Sequence, residues 1–140
     1  MWFYKGKEFT SSMISEYFGY VYLITDLHND KKYIGKKWFW SSRRKPPLKG
    51  KTRKRTVKLE SDWQEYFGSN EEVKALVQQY SSDRFKREIL CLCMTKGECT
   101  YREAKLQFER DVLLRDDYYN EFIGCKIHSK HVSNLKNDSL

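Results

Sequence analysis

Three groups of residues have types and spacings that could do chemistry. The first is cationic. Between Arg43 and Lys58 (RRKPPLKGKTRKRTVK), nine of sixteen residues are Lys or Arg and none is acidic. The chain carries 27 Lys and Arg against 19 Asp and Glu, so the other 18 cations face 19 anions. The net charge of +8 therefore sits in this one run. Concentrated positive charge attracts a polyanion, nucleic acid before an acidic membrane surface. The second group is a pair of phenols, Tyr22 and Tyr33, with ten residues between them, on two apolar segments. Read locally, they could be cross-strand aromatics that stabilise a hairpin. The third is Cys125, His128 and His131, at i, i+3 and i+6. Tetrahedral zinc wants a fourth ligand, which this polar segment does not offer.

The elements that must position these residues follow from periodicity. Residues 20–25 (YVYLIT) are β-branched and aromatic and read as a strand. Asn29-Asp30 marks a turn, and residues 31–35 (KKYIG) return as its partner. A short amphipathic segment follows at 36–42. The basic run reads as a loop over 43–58, because Pro46, Pro47 and Gly50 oppose regular structure. Ser69 and Glu72 form an S-x-x-E box ahead of Val73, Leu76, Val77 and Tyr80, which predicts a helix over about 70–80. Residues 85–94 (FKREILCLCM) read as a strand that is buried at its end and broken by Gly97. A second helix is predicted over about 100–115, with Tyr101, Ala104, Phe108 and Val112 on one stripe. The polar tail begins near 124. The order β-β-α-β-α predicts an α+β fold: a three-stranded, mostly antiparallel sheet, a hairpin plus a third strand, packed with helices. The length of 140 residues fits one domain, 1–140, with a core of its own.

On these residues the chain resembles a known family. Tyr20-Val21-Tyr22 and Tyr33-Ile34-Gly35 resemble the two half-motifs of the GIY-YIG nucleases, with Tyr20 and Val21 departing from the first half. Trp63-Gln64-Glu65-Tyr66-Phe67-Gly68-Ser69 resembles the family's W-x-x-Y-x-G-S segment. Phe85–Leu90 resembles its third strand, Glu103 stands near the start of the next helix, and Tyr119-Asn120 resembles its closing Y-N. The likeness runs in order from about 19 to 123 and is nearest to the phage-type Seg group of free-standing endonucleases.

The resemblance implies a DNA endonuclease that hydrolyses phosphodiester bonds with one divalent ion, Mg²⁺ or Mn²⁺, and no small-molecule cofactor. Such hydrolysis needs an activated water, neutralised phosphate charge and a stabilised leaving oxygen. Glu103 would hold the metal, with waters and phosphate oxygens completing a shell that suits magnesium. Tyr22 or Tyr33 would orient or deprotonate the water. A phenol titrates near pH 10, so it needs a neighbouring cation, for which Lys36 is placed. An arginine should clamp the phosphate through its planar fork. The family spacing gives Arg43, and a loop insertion could shift the role to Arg44, Arg53 or Arg55. The substrate would be double-stranded DNA, gripped by Arg43, Arg44, Lys45, Lys51, Arg53, Lys54, Arg55 and Lys58. Gly35 and Asn120 would support the site.

Each residue also has a local reading. Thr100 and Glu103 make a second S/T-x-x-E box, so Glu103 could be a cap, with Glu98 or Glu109 as rival metal ligands. Asn120 could terminate the second helix. Trp38 and Trp40 suit core packing or base stacking, and His28 a solvated turn. Cys91 and Cys93 alternate with Leu92 and Met94, as packed thiols of a buried strand do. At the level of function, the alternatives are a non-catalytic nucleic-acid-binding module and a structure-specific repair or restriction nuclease. The opening MWFYKGKEF has no long apolar stretch, and no run reaches a membrane span, so an intracellular, non-membrane protein is expected. Monomer and dimer both remain open.

Overall fold

A computed structural model describes residues 1–136. Nine strand and helix elements order the chain: β1 (Trp2–Tyr4), β2 (Lys7–Phe9), β3 (Gly19–Asp26), β4 (Lys32–Trp38), β5 (Trp40–Lys45), β6 (Arg55–Glu60), α1 (Glu71–Gln79), β7 (Phe85–Cys93) and α2 (Lys96–Glu109). Five strands form one mixed sheet in the order β2-β1-β7-β3-β4, and β5 and β6 form a separate ribbon.

The α+β class stands, and β7, β3 and β4 are the three neighbouring antiparallel strands expected. The sheet is nonetheless wider than three strands. The aromatic opening segment closes a hairpin at Lys5-Gly6, both at positive φ (51° and 80°), the backbone a two-residue primed turn requires. Its strand β1 then joins β7 in parallel, Trp2 opposite Arg87. A three-residue strand is too short for periodicity to reveal it, and its partner lies more than eighty residues away.

Strand β3 is buried on both faces. Tyr20, Tyr22 and Ile24 point into one core with Trp2, Phe9, Phe39, Trp63 and Val73, while Val21 and Leu23 point into a second core with Ile34, Cys93, Cys99 and Val112. Helix α1 covers the first face, and α2 packs on the second. A register slip between Val21 and Tyr22 against β7 locally re-aims β3 where the first tyrosine stands.

Several local expectations change. The segment 36–42 is the end of β4 and the start of β5, and the basic run is a ribbon flanking a short loop, with Pro46, Pro47 and Gly50 confined to that loop. Helix α1 is capped by Asn70, whose side chain accepts from the Val73 amide, which frees Ser69 for other work. Helix α2 begins four residues early because Thr95 caps it by accepting from the Glu98 amide. Gly97 is thus the second residue of α2, against the backbone of His131. Phe108 is exposed, Val112 lies past the end of α2, and the buried residues of α2 are Glu98, Cys99, Glu103, Ala104 and Gln107.

Candidate active site

Strand β4 is the outer strand of the sheet, and the segment after α2 closes the first half of its free edge. The Lys32 amide donates to Asp117 O, and the Tyr119 amide donates to Lys32 O. Asn120 Oδ1 accepts from the Ile34 amide at 3.0 Å, and its Nδ2 donates back to Ile34 O at 2.9 Å. Gln107 Nε2 donates to the same carbonyl. Asn120 is therefore a mimic of a sheet partner rather than a helix terminator.

The edge opens just beyond Ile34. A shallow depression of about 270 Å³ lies there, lined by Gly35, Lys36, Lys37, Trp38, Ser69 and Glu103. Glu103 reaches it from α2 on one face of the sheet, and Ser69 from the segment before α1 on the other. Side chains from opposite faces can meet only around an edge strand, since a central strand would be covered by its next neighbour.

Glu103 is buried to 9 % exposure and accepts from Lys36 Nζ at 3.0 Å. Burial pushes its carboxyl above the usual glutamate value, and Lys36 offsets only part of that. The helix-capping reading of Glu103 fails, because Thr100 lies inside α2 and donates to Lys96 O. The rival carboxylates are occupied elsewhere. Glu98 is buried and accepts from the Met94 amide, and Glu109 pairs with Lys105.

The two tyrosines differ in surroundings. Tyr33 is half-buried, and its hydroxyl shares a 3.0 Å hydrogen bond with Ser69 Oγ. Burial raises its phenol above the usual value, while the Ser69 bond works in the opposite direction. Tyr22 is fully buried at 0 % exposure, and burial drives its phenol far up, helped by the neighbouring phenols Tyr66 and Tyr33. Its hydroxyl has no hydrogen-bond partner and lies over Gly35, directly opposite it in the β3–β4 register.

The donor set fits a single hard cation held by one carboxylate. Among the described residues no three His, Cys, Asp or Glu side chains gather to hold a metal. Glu103 offers one oxygen-donor group beside an open depression, and the Tyr22 hydroxyl lies buried beneath Gly35, outside the depression's lining. Cys125, His128 and His131 form no zinc site. The two imidazoles spend Nδ1 on backbone amides, His128 on Lys130 and His131 on His128.

A family model described as "Putative endonuclease segE, GIY-YIG domain" matches residues 2–123. The chain belongs to the GIY-YIG family, in its SegE branch. No curated protein and no solved structure matches it. Membership makes this GIY-YIG chain a nuclease, a hydrolase whose substrate is nucleic acid. No helix among the described residues is long and apolar enough to cross a membrane.

Of the residues expected at the site, Gly35, Lys36 and Glu103 line one depression. Tyr22, Tyr33 and Arg43 are not among the lining residues, although Tyr33 bonds Ser69, which is. Arg43 stands exposed on β5, and Arg44, Lys45, Arg55 and Lys58 share the same ribbon. Ser69 and Lys37 were missed as site residues. The Gly-Ser pair after Tyr66 was the available signal for Ser69. Lys37 donates to Asp62 at 2.7 Å and lies 4.3 Å over the Tyr66 ring, and no local pattern announces either contact.

Proposed function

We propose that this GIY-YIG chain is a divalent-metal-dependent endonuclease of duplex DNA, with a free-standing homing role. One observation carries the reading: Glu103, Lys36, Gly35 and the Tyr33-bonded Ser69 surround a single depression at the open edge of β4. Glu103 is the residue that would hold Mg²⁺ or Mn²⁺, and such an ion supplies neutralisation of phosphate charge and of the leaving oxygen.

The chain's own groups do the rest. Lys36, now bonded to Glu103, gains a second anion when a phosphate lies in the depression. Tyr33 orients the attacking water and relays its proton through Ser69 Oγ towards solvent, so that a phenol too basic to ionise at neutral pH can still serve. As water oxygen bonds to phosphorus, one P–O bond to sugar breaks. Tyr22, packed from within the core against Gly35, holds in place the strand that carries Tyr33 and Lys36. Arg43 clamps the phosphate from the ribbon once DNA lies between ribbon and β4 edge.

The test is incubation of the pure protein with plasmid and phage-type duplexes across Mg²⁺ and Mn²⁺, with a chelator control and Glu103→Gln beside it. Cleavage that needs the metal and Glu103 is expected. Tight DNA binding without cleavage in any condition would sink the enzyme reading. Mapping the cuts then addresses homing, for which one dominant site is expected rather than many scattered ones.

A further inference from the structure

The β5–β6 ribbon is an unusual object for a protein of this size. Its residues are almost all exposed on both faces, and its strands make no substantial contact with another element. An isolated two-stranded hairpin is marginal in water. Like charges also stand directly opposite at its far end, Lys45 across from Arg55, which works against the pairing. An element built this way gains by meeting a polyanion.

Its root is fixed where it matters. Trp38 lines the depression, and Ser61 Oγ donates to Trp38 O at 2.7 Å. The Phe39 amide donates to Phe18 O, and the Ser61 amide to Phe39 O. The ribbon therefore leaves the body at the rim of the site.

The two ribbon faces differ in chemistry. The register puts Arg44 opposite Thr56 and Ser42 opposite Lys58 on one face, with Arg43, Lys45 and Arg55 on the other. The second face gathers three cations towards its far end, with Val57 across from Arg43 and with Ser41 and Leu59 nearer the root, and phosphate contact requires such cations. The first sets the hydroxyls of Ser42 and Thr56 beside Arg44 and Lys58, giving donors and acceptors at closely spaced backbone positions, which base edges require. The major groove is wide enough for a two-stranded ribbon.

We infer that the β5–β6 ribbon is the sequence-reading element of this nuclease: it lies in the major groove, Arg44 and Thr56 towards base edges and Arg43, Lys45 and Arg55 towards phosphates. This rests on the duplex-DNA reading above.

The experiment selects bound duplexes from a randomised pool with the full chain, so that the readout does not depend on cleavage. A preferred site is expected. Arg44→Ala with Thr56→Ala should relax the preference at one or two base pairs by about tenfold each. Lys45→Ala with Arg55→Ala should weaken all duplexes alike and keep the preference. Replacing guanine by 7-deazaguanine in the selected site should lower affinity, while a minor-groove ligand should not. Thermal melting confirms that these exposed substitutions leave the fold intact. A chain that cleaves but selects no site, or a preference unmoved by the Arg44 and Thr56 changes, overturns the ribbon and leaves the nuclease. A site selected through the ribbon without cleavage under any divalent ion overturns the activity and leaves the ribbon.

Discussion

The hydroxyl of Tyr22 occupies the space that a side chain on Gly35 would need. The two residues face each other across the β3–β4 ladder, and a β-carbon on Gly35 would collide with the phenol oxygen. The glycine of the YIG half is thus required by the tyrosine of the other half. Gly35→Ala should destabilise the protein by about 2 kcal/mol, as overpacking in a close-packed interior does. Part of that loss should vanish in a Tyr22→Phe background, which a double-mutant cycle measures. Tyr22→Phe alone should hold or gain stability, since it deletes a buried hydroxyl without a partner, yet should slow cleavage. Unchanged cleavage would confine Tyr22 to packing.

Glu103→Gln should abolish cleavage and leave DNA affinity unchanged. It should not lower stability at neutral pH. The folded-state value of Glu103 is raised, so the ionised form is the costly one, and that cost appears as pH rises through the carboxyl range. Chemical denaturation at pH 7 checks this, and a large loss of stability would mean that the Lys36 pair holds the fold together.

Cleavage should depend on pH in two places. At limiting metal the acid limb should lie above the ordinary glutamate value, because Glu103 must ionise and burial resists it, and added metal, which favours the ionised carboxylate, should move it down. Activity should then climb through the alkaline range, because burial holds the Tyr33 phenol above its usual value of about 10. Tyr33→Phe should flatten the climb, and Ser69→Ala should weaken it. Single-turnover rate profiles in limiting and in saturating metal give the answer, and a climb that persists in Tyr33→Phe would assign it to another group.

Neutralising Arg53, Lys54 and Arg55 together should weaken DNA binding and lower the slope of log affinity against log salt by about 2.7, three released counterions' worth. An unchanged slope would place the DNA on another face.

Asp26 is fully buried in a network at the turn end of the hairpin. It accepts from Arg84 Nε and Nη2 at 2.8 and 2.9 Å, from Tyr119 OH at 2.7 Å and from the His28 amide. Burial alone would raise its carboxyl, and these donors hold it below the usual value instead. Its contribution is therefore present above the ordinary aspartate range and lost as pH falls below it. Asp26→Asn should cost about 2 kcal/mol at pH 7, less at pH 3. Equal losses at both would remove the charge from the account.

Much of this was legible in the chain itself. The β-branched run around Tyr22 and the Asn29-Asp30 turn specify the hairpin through local energetics, and the apolar spacing of Val73, Leu76 and Val77 specifies α1. The order of the motifs named the family, and the cluster from Arg43 to Lys58 located the charge. What tertiary structure alone decided are the relationships between distant residues. That β4 is an edge strand, that Asn120 and Gln107 close half of that edge, and that Glu103 and Ser69 meet around the other half all depend on contacts spanning dozens of residues. The parallel docking of β1 on β7 and the pairing of the basic run into a ribbon are of the same kind. Periodicity reports which face of an element is apolar. It carries no information on which element will cover that face, because that choice is made by packing between segments far apart in sequence.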